Sequence, residues 1–71
     1  MKQIESYFLY FFPANKQGYV RFKLFGDNTV YQTPYLATDE FSATALVLSQ
    51  KNIAYDKVNN LFGSFDTNDI L

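Results

Sequence analysis

Residues 19–25, Tyr-Val-Arg-Phe-Lys-Leu-Phe, alternate without a break. Because successive side chains of a strand point to opposite faces, Val20, Phe22 and Leu24 share one side and Tyr19, Arg21, Lys23 and Phe25 the other. One side is purely apolar, while the other interleaves two cations with two rings. That pattern demands a strand with a core beneath it and a second, chemically distinct face above.

The neighbouring residues build a sheet around this strand. Residues 4–12 are rich in aromatic and aliphatic side chains of high β propensity, and residues 13–18, Pro-Ala-Asn-Lys-Gln-Gly, supply the polar turn of a β-hairpin. Gly26, Asp27 and Asn28 suit a tight reversal into a third strand over residues 29–33, which Pro34 ends or confines to an edge. Thr38 followed by Asp39 and Glu40 has the chemistry of a helix N-terminus, and residues 41–50 are good helix formers. Phe41, Ala45 and Leu48 share one face; Ala43, Leu46 and Val47 widen the stripe, which predicts a largely buried helix. Lys51 and Asn52 close it. Residues 53–58 and 61–65 flank Asn59-Asn60, which predicts a second hairpin with a two-residue turn. The expected class is therefore α+β: an antiparallel sheet in the order β-β-β-α-β-β with one helix packed on one face.

A chain of 71 residues holds one small domain, 1–71, with residues 66–71 as an acidic tail. With neither Cys nor His it has no disulfide, no cysteine-bound metal, no thiolate nucleophile and no imidazole base. Ser42, Ser49 and Ser64 lack an activating His, no glycine-rich phosphate loop is present, and nearly all the carboxylates fall at turns, caps or strand exteriors, where water is expected to hold their pKa near normal. A non-enzyme is expected, without cofactor or metal. The run at 7–12 follows a single Lys2, is preceded by Glu5, and is too short for a secretory core or a membrane span. A cytoplasmic protein without a membrane partner is the expectation, consistent with the lack of cysteine.

Small cores yield only about 3–5 kcal/mol, and the chain carries 14 aromatic residues, more than one such core comfortably encloses. Self-association follows as an expectation, a homodimer first, because the uncharged segment 7–12 would aggregate as an open edge. Tyr19, Arg21, Lys23 and Phe25 suit single-stranded nucleic acid, since bases stack on rings while cations neutralise phosphates. The hairpin partner adds Tyr7 or Tyr10 according to register, and Tyr31 on the third strand extends the platform. Residues 1–38 hold four cations against two anions and residues 39–71 two against five, so the sheet half is the basic one. The overall charge of −1 limits a monomer to weak phosphate binding. The alternative is a protein-interaction module whose aromatic surface meets another protein, with Arg21 and Lys23 as rim charges. The tail, with Asp66, Asp69 and the apolar Leu71, resembles the acidic, apolar-tipped tails by which many single-stranded-DNA-binding proteins recruit partners. A four- or five-stranded sheet with one helix is similar in outline to dimeric single-strand-binding transcription cofactors and to small phage-encoded proteins, a likeness of fold that carries no function.

Overall fold

The computed structural model describes residues 2–64; the acidic tail lies outside the described residues. The class is α+β: a six-stranded antiparallel sheet and one helix, α1 (Thr38–Leu48). The strands are β1 (Lys2–Phe12), β2 (Gln17–Leu24), β3 (Tyr31–Gln32), β4 (Leu36–Ala37), β5 (Ile53–Asp56) and β6 (Leu61–Ser64). Their order is β3-β2-β1-β5-β6, with β4 also pairing β2.

The strict alternation of β2 is realised. Val20, Phe22 and Leu24 are buried, and with Ile4, Leu48 and Ile53 they form the core, against which Tyr7, Tyr31, Phe41, Tyr55 and Phe62 pack. β1 reaches that core through a bulge: Ile4 opposes Leu24 and Ser6 opposes Lys23, so Glu5 is an extra residue. Beyond it the phase is reversed, and Tyr7, Leu9 and Phe11 lie across from Phe22, Val20 and Gly18. A bulge also bends its strand and sharpens the local twist. Here the bend lies beside the short pairing of Lys2 and Gln3 with Tyr55 and Ala54, which is how β5 joins the sheet. Phe22 is separated from β6 by two strands, yet its ring centroid is 4.8 Å from Tyr55 and 5.1 Å from Phe62. Only a sheet curled over its own core face brings those rings together.

Gly18, expected in the turn, instead sits inside β2 opposite Phe11. The turn is residues 13–16, with Lys16 taking the left-handed conformation at φ 51°. A Cβ at Gly18 would stand 2.7 and 2.8 Å from Phe41 ring atoms and would also collide with the Tyr10 carbonyl oxygen. The glycine thus opens a seat on the sheet for the helix ring. The expected third strand is shorter than residues 29–33, and the chain rejoins β2 after Pro34, where Leu36 pairs with Gly18 and Ala37 with Gln17.

Helix α1 begins at Thr38 with Ala37 in the cap position, where the Ala37 N–H donates to the Glu40 side chain over 3.0 Å. Thr38 does not cap because its hydroxyl donates instead to the Lys16 carbonyl at 3.0 Å. The helix is also less covered than its composition predicts: only Leu48 is buried, and Leu46 is 66 % exposed. A single stripe of Phe41, Ala45 and Leu48 meets the sheet, and Leu46 and Ala43 face away from it. The chain leaves the helix at Leu48, before the expected stop, and Asn52 takes the left-handed conformation at φ 55°. The second hairpin has a four-residue loop rather than a two-residue turn, since Asp56 pairs with Leu61. The Asp56 carboxylate accepts from the N–H groups of Val58 and Asn59 and from the Asn59 amide, which winds the loop and holds its own pKa below the usual carboxylate value. Asn60 alone of the two Asn residues has a positive φ, 54°.

Gly18→Ala is expected to destabilise the fold by about 1–3 kcal/mol, because the ring of Phe41 and the β1 backbone must both give way. A fall in the urea midpoint at unchanged slope would show it, and an unshifted midpoint would mean that Phe41 does not rest on this position.

Candidate nucleic-acid interface

The face of β2 that is turned away from the core carries Tyr19, Arg21 and Lys23. Opposite them on β1 stand Tyr10, Phe8 and Ser6. Of the two candidates on the hairpin partner, the register selects Tyr10 and turns Tyr7 to the core. Tyr10 and Tyr19 stack with centroids 4.9 Å apart. Phe12 and Tyr35 close a four-ring cluster, Tyr35 lying 5.7 Å edge-on from Tyr19 and 6.3 Å from Phe12. Tyr35 comes to this face because its neighbour Leu36 points inward opposite Gly18.

Arg21 is fixed against these rings. Its Nε–H donates to the Gln32 side-chain oxygen at 2.8 Å, from the residue directly across on β3. The guanidinium carbon lies 5.7 Å from the Tyr10 centroid and 5.6 Å from that of Tyr19, within cation–π range. Next along the strand is a groove of about 190 Å³ whose walls include Ser6, Phe8, Tyr10, Arg21, Lys23 and Val30. Phe8 is 66 % exposed there. Two cations, one of them the oriented guanidinium of Arg21, and an exposed ring therefore border one shallow depression.

The other two sequence candidates are placed elsewhere. Phe25 follows the end of β2, anchored by its N–H donating to the Gln3 carbonyl at 3.0 Å, and is 55 % exposed. At roughly 3.3 Å per residue it is about 20 Å along the strand from Tyr19, outside the ring cluster. Tyr31 is not brought to this face. It pairs with Phe22, stacks on that ring at 5.5 Å on the core side, and has Lys57 Nζ 5.2 Å from its own centroid. Phe8, Phe12, Val30, Gln32 and Tyr35 complete the outer face without having been selected from their spacing. Phe8 and Phe12 sit in a run apolar on both sides, and Val30 and Tyr35 flank strands of only two residues, so alternation marks none of them.

Among the described residues no group of three or more acidic side chains is placed to hold a metal ion, and no helix is long and apolar enough to cross a membrane. Comparison of the chain with family models, curated proteins and solved structures finds no match.

Tyr31 is held in its inward position by its hydroxyl, which donates to Asp27 at 2.6 Å. That bond, with further donation from Thr29, lowers the Asp27 pKa from 3.8 to about 2. A depressed carboxylate pKa contributes stability that is complete above the unfolded value and is lost as pH falls toward the folded one. The contribution of Asp27 should therefore disappear between pH 3.8 and about 2. Asp27→Asn is expected to remove this part of the acid sensitivity in thermal melts recorded across that window, and an identical profile would show that the bond does not couple to folding.

Proposed function

We propose that this protein is a small non-enzymatic binding module that takes single-stranded nucleic acid on the outer face of β1 and β2. The observation that carries the reading is the groove beside Arg21, in which cations and open rings occur together at the spacing of strand residues. Phe8 offers a ring for a base. The Gln32 bond fixes the plane of the Arg21 guanidinium and leaves its two terminal nitrogens for a phosphate, which they can meet as a fork. Lys23, two residues along, adds a second phosphate contact.

Such a platform reads little sequence, because every base has a face to stack. A duplex hides those faces, so the single strand is preferred. With so few cations per chain, affinity grows chiefly when several copies align their Arg21 and Lys23 pairs, and the reading therefore includes a homo-oligomer. A reducing, cytoplasmic setting suits a chain without cysteine.

A protein-interaction module is the second reading, supported by apolar exposure on the opposite side of β1, where Leu9 and Phe11 are both open to solvent. Titration of a labelled single-stranded oligonucleotide by fluorescence anisotropy, with a duplex control, separates the two. Under the first reading binding is saturable, favours the single strand and weakens with salt. Arg21→Ala with Lys23→Ala lowers the salt slope by about 1.4, two phosphates at about 0.7 each. Phe8→Ala weakens binding by about 1–3 kcal/mol. Absence of binding even at low salt would overturn the nucleic-acid reading and leave the protein-contact one.

A further inference from the structure

β1 is paired on both sides only at its start. β5 takes Lys2 and Gln3, whereas residues 6–12 pair with β2 alone among the described strands. Their second edge, seven residues long, meets no strand among the described residues. It contains no charge, no proline and no glycine. Natural sheets blunt such edges with charges, bulges or prolines, since an open apolar edge templates pairing with another chain. Here those devices stand at the two limits of the segment, the bulge at Glu5 and Pro13, and none lies within it. The side chains along the edge are open as well: Phe8, Leu9, Tyr10, Phe11 and Phe12 are all exposed, on both faces of the strand.

We infer that this edge is the interface of a homodimer in which β1 pairs antiparallel with β1 of a second copy. The occupant is a second copy because the segment is its own complement. All seven residues find partners only when the two-fold axis passes through Leu9 and stands perpendicular to the sheet. Leu9 then meets Leu9, Tyr7 meets Phe11, Phe8 meets Tyr10 and Ser6 meets Phe12. Each pairing joins residues of the same face, since Tyr7, Leu9 and Phe11 belong to the core side and Ser6, Phe8, Tyr10 and Phe12 to the outer side. Aromatic cross-strand pairs are among those that stabilise antiparallel sheets. No charges meet along the paired segments, because residues 6–12 carry none, and Arg21 and Lys23 lie one strand further out on each copy.

The dimer would continue both sheets across the axis and set the two grooves side by side on one surface. The β1 edge offers this pairing whether or not nucleic acid is the ligand.

Sedimentation equilibrium of the full chain tests it. The wild type is expected at twice the 8.2 kDa chain mass, and a monomer at high-micromolar concentration overturns the proposal. Leu9→Lys and Leu9→Glu each place like charges against each other at the axis. Each alone should be monomeric with an unchanged far-ultraviolet spectrum, and an equal mixture should regain the doubled mass. A dimer that persists in both variants would overturn the proposed edge. Should either charged variant lose its fold, Leu9→Cys gives a second measure in a chain that has no other thiol. Opposed Cβ atoms about 4.5–5.5 Å apart lie near disulfide reach. Under mild oxidation it should form a disulfide dimer much faster than an Asn28→Cys control, and equal rates would overturn the assignment.

Discussion

Phe22 is the residue on which the rest of the structure closes. Its ring meets Tyr31 from β3, Tyr55 from β5 and Phe62 from β6, so one side chain joins strands that the sheet order keeps apart. Burying a phenylalanine contributes about 1.5–3 kcal/mol, and each aromatic pair adds about 0.5–1.5 beyond area alone. In a domain of this size those quantities are a large part of the whole. The convergence depends on the bend at Glu5, without which β5 and β6 would continue away from β2.

Curling the sheet around Phe22 assigns opposite roles to its two faces. The concave side is filled by rings and by one stripe of α1, and among the described residues no polar or charged side chain is buried in it. Among the described residues no helix lies above the convex side. Side chains that would ordinarily be hidden there remain open, and Arg21 organises them by bonding Gln32 on one strand while lying over rings of two others. The small core and the large open aromatic surface are thus two results of one geometry.

What the sequence made legible is whatever a local pattern encodes. The alternation of residues 19–25 identifies β2 and sorts its side chains correctly as far as Leu24, with Phe25 falling beyond the strand, and the turn chemistry and helix formers give one helix between hairpins. What could not be read depends on partners distant in sequence. β1 is apolar at Tyr7, Leu9 and Phe11 and also at Phe8, Tyr10 and Phe12, so its composition carries no phase. Its phase comes from the bulge, which is visible only once Leu24 and Lys23 are opposite. Tyr31 faces inward because Gln32, one residue on, is the partner of Arg21. The four-residue loop of the second hairpin follows from one carboxylate gathering three donors, which overrides the preference of Asn-Asn for a tighter turn.

The junction of β4 and α1 has a mechanical consequence. Ala37 is at once the last residue of a strand and the cap of the helix, so no loop lies between sheet and helix to absorb movement. Thr38 is tied to the turn at Lys16, Phe41 rests on Gly18, and Tyr35 touches Phe12 on the opposite side of the sheet. The hairpin tip and the start of the helix are therefore coupled as one lever through the thickness of the sheet. A load applied to Phe12 and Tyr35 from the outer face is transmitted directly to the helix behind them.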